Sequence, residues 1–202
     1  TYTINGVPQG VGASPITLTN QLAGTYTIVV TNTATNCTAT TSVTIAQPAA
    51  ALAMTLTPSP VTCLINGQVV VNAVGGWGGN VYTIFPPAGT LSGNTFSNLP
   101  ANTYTVTTTD AGGCAVTANF TLVAPTPPTA TISAASNFCY TSPTGATIVV
   151  TPAGGVAPYT YTINGNPNAS NTFSNLTPGS YTIVVTDSFG CAVTLPVQTI
   201  AP

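Results

Sequence analysis

Leu176-Thr-Pro-Gly-Ser-Tyr181-Thr-Ile-Val-Val-Thr-Asp187-Ser-Phe-Gly-Cys191 is the stretch whose reading decides the fold. Tyr181, Ile183 and Val185 alternate with Thr182, Val184 and Thr186, the two-residue period of a strand with one core face and one outer face. Asp187 opens and Gly190 closes an Asx-type hairpin turn after that strand. The same phrase recurs as Leu22-Ala-Gly-Thr-Tyr26 and Leu99-Pro-Ala-Asn-Thr-Tyr104, each running on to a cysteine. Cys37, Cys114 and Cys191 stand 77 residues apart, and so do Pro48, Pro125 and Pro202. A fixed period marks an array of one module. It sets residues 49–125 and 126–202 as whole β-sandwich repeats and residues 1–48 as the C-terminal part of a truncated one. On this reading the chain starts inside a domain and is a segment of a longer tandem-repeat protein.

Residues 126–202 give the clearest module. Thr129–Ala134, Ala146–Thr151, Tyr159–Ile163, Asn171–Leu176, Tyr181–Thr186 and Cys191–Ile200 are short β-branched runs separated by Pro, Gly and Asn turns. Six or seven such strands predict an antiparallel sandwich, and no helical period occurs. Tyr2, Tyr82 and Tyr161 are expected in the core. The residues two before the repeated tyrosine, Gly24, Asn102 and Gly179, are types that tolerate a left-handed backbone.

Composition narrows function sharply. The chain has no Lys, Arg or His, and its only acids are Asp110 and Asp187. A general base working near neutral pH is missing, and so are the parts of a Ser-His or Cys-His nucleophile pair. The chain is therefore not expected to be an enzyme, unless a catalytic domain lies outside this segment, and no cofactor is expected. Without cations there is no phosphate clamp, which argues against nucleic-acid binding. Lys–Asn isopeptide crosslinks are impossible. No apolar run reaches the ~20 residues of a membrane span.

The cysteines predict a covalent framework. Cys63 with Cys114, and Cys139 with Cys191, form one pair per whole module at separations of 51 and 52 residues. The expected disulfides join each module's start to its own last hairpin, and Cys37 pairs with a residue outside the segment, about fifteen positions before Thr1. Paired cysteines in small modules imply an oxidising, extracellular or cell-surface location. Asn32, Asp110 and Asp187 are read as hairpin-turn residues rather than metal ligands, since one acid per module is far below a calcium site's usual charge. Trp77, among four glycines, is the one candidate for ligand stacking on a sugar or for covering an interface.

The order Cys139, β run, Gly154-Gly-Val-Ala-Pro-Tyr159-Thr-Tyr161, then Leu176 through Cys191, resembles the SprB-type repeat of Bacteroidetes cell-surface adhesins. The second module keeps Gly75, Gly76, Tyr82, Leu99, Tyr104, Asp110, Gly113 and Cys114, with Trp77-Gly-Gly-Asn80 in place of the Pro-Tyr portion. The first keeps the later half, with Asn32 for the aspartate. The resemblance implies all-β, tandem immunoglobulin-like antiparallel β-sandwich modules of about 77 residues. It also implies very long filaments exported by type IX secretion, some of them serving gliding motility. Ser188, directly after Asp187, resembles a Bacteroidetes O-glycosylation signal.

Short proline-bearing connections, Gln47-Pro48-Ala49 and Pro125-Thr126-Pro127-Pro128, predict a semi-rigid rod. Strand edges are usually protected by charge, and a chain this neutral needs another cover. The partners expected are neighbouring repeats of the same chain, identical chains in a fibre, and surface glycans. The function this supports is a structural and adhesive filament segment; the alternative is a carbohydrate-binding or other ligand-binding array.

Overall fold

Alternating β-branched residues and tight Asn/Gly turns give strands throughout the described part of the chain. The computed structural model describes residues 1–12 and 15–202, and among these there is no helix. In residues 1–48, β1 (Tyr2–Ile4), β2 (Val7–Gly10), β3 (Gly24–Thr31) and β4 (Thr38–Ile45) form one antiparallel sheet of order β2-β1-β3-β4. Residues 49–125 hold β5 (Ala53–Ser59), β6 (Gly67–Val74), β7 (Val81–Phe85), β8 (Thr90–Ser92), β9 (Thr95–Leu99), β10 (Asn102–Thr109) and β11 (Ala115–Leu122). They make two sheets, β5-β6-β9-β8 and β11-β10-β7. Lettered A to G in chain order, these are the A-B-E-D and G-F-C sheets of a seven-stranded immunoglobulin-type sandwich.

Residues 126–202 follow a related plan, with the extra strand on the opposite sheet. Strands β12 (Pro128–Ile132), β13 (Ala146–Gly154) and β16 (Thr172–Leu176) form one sheet. Opposite lie β14 (Thr160–Ile163), β15 (Asn166–Asn168), β18 (Ile183–Thr186) and β19 (Ala192–Thr194) in the order β15-β14-β18-β19, with β17 (Gly179–Tyr181) paired to β20 (Gln198–Ile200). Every strand pairing described stays inside 1–48, 49–125 or 126–202. By density of contacts the chain divides into two units. One comprises Thr1–Ala53, Val74–Gly79 and Asp110–Cys114; the other comprises Met54–Ala73, Asn80–Thr109 and Ala115–Pro202.

The sandwich cores follow the strand period. Val69, Val71, Phe96 and Leu99 from one sheet meet Tyr104, Val106, Phe120 and Leu122 from the other. Ile148, Val150 and Phe173 meet Ile183, Val185 and Leu195 in the next module. Tyr82 and Tyr161 pack against these clusters as partly buried members. The described residues of 1–48 present a single sheet, so its inner-face Val30 is 49% exposed whereas the matching Val185 is fully buried.

The repeated tyrosine has a role that its spacing did not disclose. Tyr26, Tyr104 and Tyr181 each donate the phenolic O–H to the carbonyl four residues upstream, on Leu22, Pro100 and Thr177, at 2.7, 2.9 and 2.7 Å. This is the tyrosine corner of immunoglobulin-type sandwiches, which pins the E–F connection against strand F. The left-handed residue at this corner is not Asn102, which has no positive φ. Asn20, Asn98 and Asn175 fill that place, with φ of 58°, 60° and 58°. Gly24 and Gly179 do have positive φ, 153° and 157°.

Tyr104→Phe removes the O–H from a side chain only 1% exposed and strips the Pro100 carbonyl of that donor. The expected loss is about 1 kcal/mol, seen as a lower urea midpoint at unchanged m-value. An unaltered midpoint would mean that the corner hydrogen bond contributes nothing.

Candidate functional site at the module junction

The chain's two carboxylates build the ends of the second and third modules. Asp187 follows β18, and its Oδ1 accepts hydrogen bonds from the Phe189 and Cys191 N–H groups, both at 2.9 Å. Its Oδ2 accepts from the Val156 N–H at 3.0 Å, tying the F–G hairpin to the turn beyond β13. Asp110 does the same: Oδ1 takes the Gly112 and Cys114 N–H groups at 2.9 Å, and Oδ2 takes the Trp77 N–H at 3.0 Å. Both carboxylates are 5% exposed. The glycine directly before Val156 and the one directly before Trp77 are steric requirements. A Cβ on Gly155 or Gly76 would lie 2.7 or 2.5 Å from the carboxylate oxygen, and both glycines have positive φ.

These hydrogen bonds set the electrostatics. The Trp77 N–H is the foremost cause holding the Asp110 carboxyl below the usual carboxylate range; burial opposes it, and the Cys114, Gly112 and Gly113 amides add to it. At Asp187 burial is the largest influence and pushes upward, but the Val156, Cys191 and Phe189 amides together outweigh it. Asn32 caps the first hairpin, its Oδ1 accepting from Ala34 N–H at 2.9 Å. All three side chains accept backbone N–H groups within their own hairpins. Among the described residues no cluster of three or more His, Cys, Asp or Glu side chains occurs.

The disulfide expectation is overturned. Cys63 is bonded to Cys191, 128 residues further on, with Cα atoms 5.0 Å apart. Cys114 and Cys139 are exposed free thiols, as is Cys37. The third module supplies the physical reason. Cys139 lies next to Asn137, which exchanges 2.8 Å backbone hydrogen bonds with Thr147 at the start of β13. The hairpin of Cys191 hangs on Val156, just past the other end of that strand. Seven rises of ~3.3 Å from Thr147 to Gly154 place these points more than about 20 Å apart, whereas a disulfide needs Cα atoms within ~7 Å. The two cysteines of one module sit at opposite ends of its sandwich.

The bond therefore staples one module to the next. Cys63 N–H donates to the Phe189 carbonyl at 3.0 Å, and the Leu64 side chain rests on Gly190, where a Cβ would be 2.5 Å from Leu64 Cγ. A cleft of about 450 Å³ borders the staple, lined by Pro58, Pro60, Leu122, Val123, Val156 and Phe189. Sequence reasoning did not anticipate Leu64, Val156 or Phe189; their one signal was position, directly after a cysteine, after Gly-Gly, or inside the hairpin.

Trp77 occupies the place of Val156. Its backbone is fixed by Asp110, and its indole lies against Gly112, where a Cβ would be 2.1 Å from Trp77 Cδ1. The side chain is 46% exposed. Ser188 is exposed, and its N–H and Oγ both donate to the Val156 carbonyl, at 2.8 and 2.9 Å.

No protein-family model matches this chain, and no curated protein matches it in sequence. Solved structures similar to it include extracellular domains 3–5 of Drosophila OTK, at 13% identity and TM-score 0.31, covering 89% of this chain and 70% of that one. A complex of Dpr2 Ig1–Ig2 with DIP-Theta Ig1–Ig3 is similar at 11% identity and TM-score 0.29, covering 88% and 72%. Extracellular cadherin domains 3–6 of protocadherin Gamma B2 are similar at 13% identity and TM-score 0.28, covering 84% and 55%.

Folding depresses both carboxyl pKa values, so their stabilisation is complete above the unfolded-state value of about 3.9 and is lost as pH falls through the lower folded values. Acid unfolding below about pH 4 is the expected result, with a flat plateau above about pH 5. The Asp110→Asn/Asp187→Asn variant should be less stable at neutral pH and should lose this acid limb. A wild-type chain equally stable at about pH 2 and pH 7 would contradict the clamp.

Proposed function

We propose that this chain is a structural and adhesive segment of a long extracellular bacterial surface filament, gliding-adhesin-like and exported by type IX secretion as the SprB-type resemblance implies. The observation that carries the reading is the bond between Cys63 of one module and Cys191 of the next. A covalent staple across a junction serves a chain that bears tension, because pull then passes through the sulfurs and the 128-residue loop is bypassed. The absence of His, Lys, Arg and Glu leaves no general acid–base pair beside it. Partners on this reading are neighbouring repeats, identical chains in a fibre and surface glycans, with Ser188 as a candidate attachment point.

Two measurements test the proposal. Immunogold labelling of intact cells with antibody to this chain should decorate filaments; label confined to the cell interior would contradict it. In single-molecule pulling, reduction should release about 420–460 Å of extra contour length at ~3.3–3.6 Å per residue, and equal lengths before and after reduction would remove the mechanical role.

A second reading draws on the exposed indole of Trp77: an aromatic platform for a sugar ring. Glycan-array binding that disappears in Trp77→Ala would favour it, whereas binding absent in both proteins would leave the filament reading alone.

A further inference from the structure

We propose that Cys114 and Cys139 are the two open halves of the same staple. The Asp110–Cys114 hairpin is a socket for the early-cysteine loop of another module of this repeat, and the Cys139 loop is a plug for another module's late hairpin. The inference goes beyond the filament reading, since it rests on the junction geometry and not on where the chain resides.

The two late hairpins are built alike. Asp187 N–H donates to the Cys191 carbonyl at 2.9 Å and Gly190 N–H to the Asp187 carbonyl at 3.0 Å; Asp110, Cys114 and Gly113 repeat both bonds at the same distances. In each, the aspartate Oδ1 fixes the cysteine N–H at 2.9 Å. They differ in occupancy. Gly190 is touched by Leu64 from the loop that supplies Cys63, a side chain otherwise 78% exposed, while the matching Gly113 has nothing within 4 Å of where a Cβ would be. The space that Leu64 takes at Gly190 is open at Gly113, beside a cysteine whose N–H is fixed as that of Cys191 is.

The other half lies on the Cys139 loop. Cys139 stands 76 residues after Cys63 and is followed by Tyr140, as Cys63 is followed by Leu64. Tyr140 is 38% exposed, and the Cys139 thiol is free. The Cys37 hairpin is a poorer socket, because Asn36, with φ of 57°, stands in the place of Gly190. A side chain there would occupy the space that Leu64 takes at Gly190.

Closure is thiol–disulfide exchange. The thiolate of one cysteine attacks a mixed disulfide on the other, the inter-module S–S bond forms, and the displaced thiolate leaves and takes up a proton. In an oxidising compartment the disulfide of a thiol oxidoreductase accepts the two electrons. Because Cys139 lies inside the loop that Cys63–Cys191 closes, repeated closure gives overlapping loops, and tension reaches only short stretches between staples.

The test uses the folded chain and a peptide of residues 60–68, Pro-Val-Thr-Cys-Leu-Ile-Asn-Gly-Gln, presented as its mixed disulfide with glutathione. Chymotryptic mapping without reduction reads which thiol receives the peptide. Cys114 should take it about tenfold over Cys37 and Cys139, a difference worth ~1.4 kcal/mol, whereas oxidised glutathione alone should lack that preference. Replacing the leucine of the peptide by alanine should erase the preference while leaving the protein untouched, and Gly113→Ala should do so from the other side. Labelling of Cys114 no greater than that of Cys37, or a preference unaffected by the leucine, would overturn the proposal. In protein taken from cells, Cys114 should be bridged to an early cysteine of a repeat, with the mass before reduction telling whether one chain or two supply it. A free Cys114 there would equally overturn it.

Discussion

The Asp187 carboxylate, accepting three backbone N–H groups from Val156, Phe189 and Cys191, is the contact on which the junction depends. It fastens the F–G hairpin to the turn after strand B, and that fixes which end of the sandwich carries the late cysteine. The close approach requires glycine at 155, and the orientation it imposes lays Gly190 open for Leu64. Asp110 repeats the arrangement with Gly76 and Trp77. From one buried anion follow the glycine at 155, the Gly-Cys ending and the polarity of the staple.

These clamps also account for the chain's electrical character. Its only two charged side chains are both buried, so the outer faces are hydroxyl, amide and apolar surface. Such a surface offers almost no charge for salt to screen and no like-charge repulsion between neighbouring copies. Stability then rests on sandwich packing, tyrosine corners and the Cys63–Cys191 staple rather than on ion pairs.

Much of this was legible from residues alone. The alternation around Tyr181 and its recurrence at Tyr104 and Tyr26 set the strand class and the period, and both reflect local rules of side-chain direction. The turn role of Asn32, Asp110 and Asp187 was legible because an Asx turn is a local motif. The disulfide pairing was not. In a periodic chain, Cys63 to Cys114 and Cys63 to Cys191 differ by one whole period, so matching separations cannot distinguish a bond within a module from one between modules. Only the sandwich does that, by placing the early and late cysteines at opposite ends. The tyrosine corner was likewise hidden, since nothing in a Leu-to-Tyr spacing says that the phenol turns back to the fourth carbonyl upstream.

The central claim is that successive modules are covalently joined. Chymotryptic digestion of the unreduced protein, with mass spectrometry before and after reduction, tests it most directly. The account predicts a linked pair of peptides carrying Cys63 and Cys191. Peptides linking Cys63 to Cys114 and Cys139 to Cys191 would contradict it.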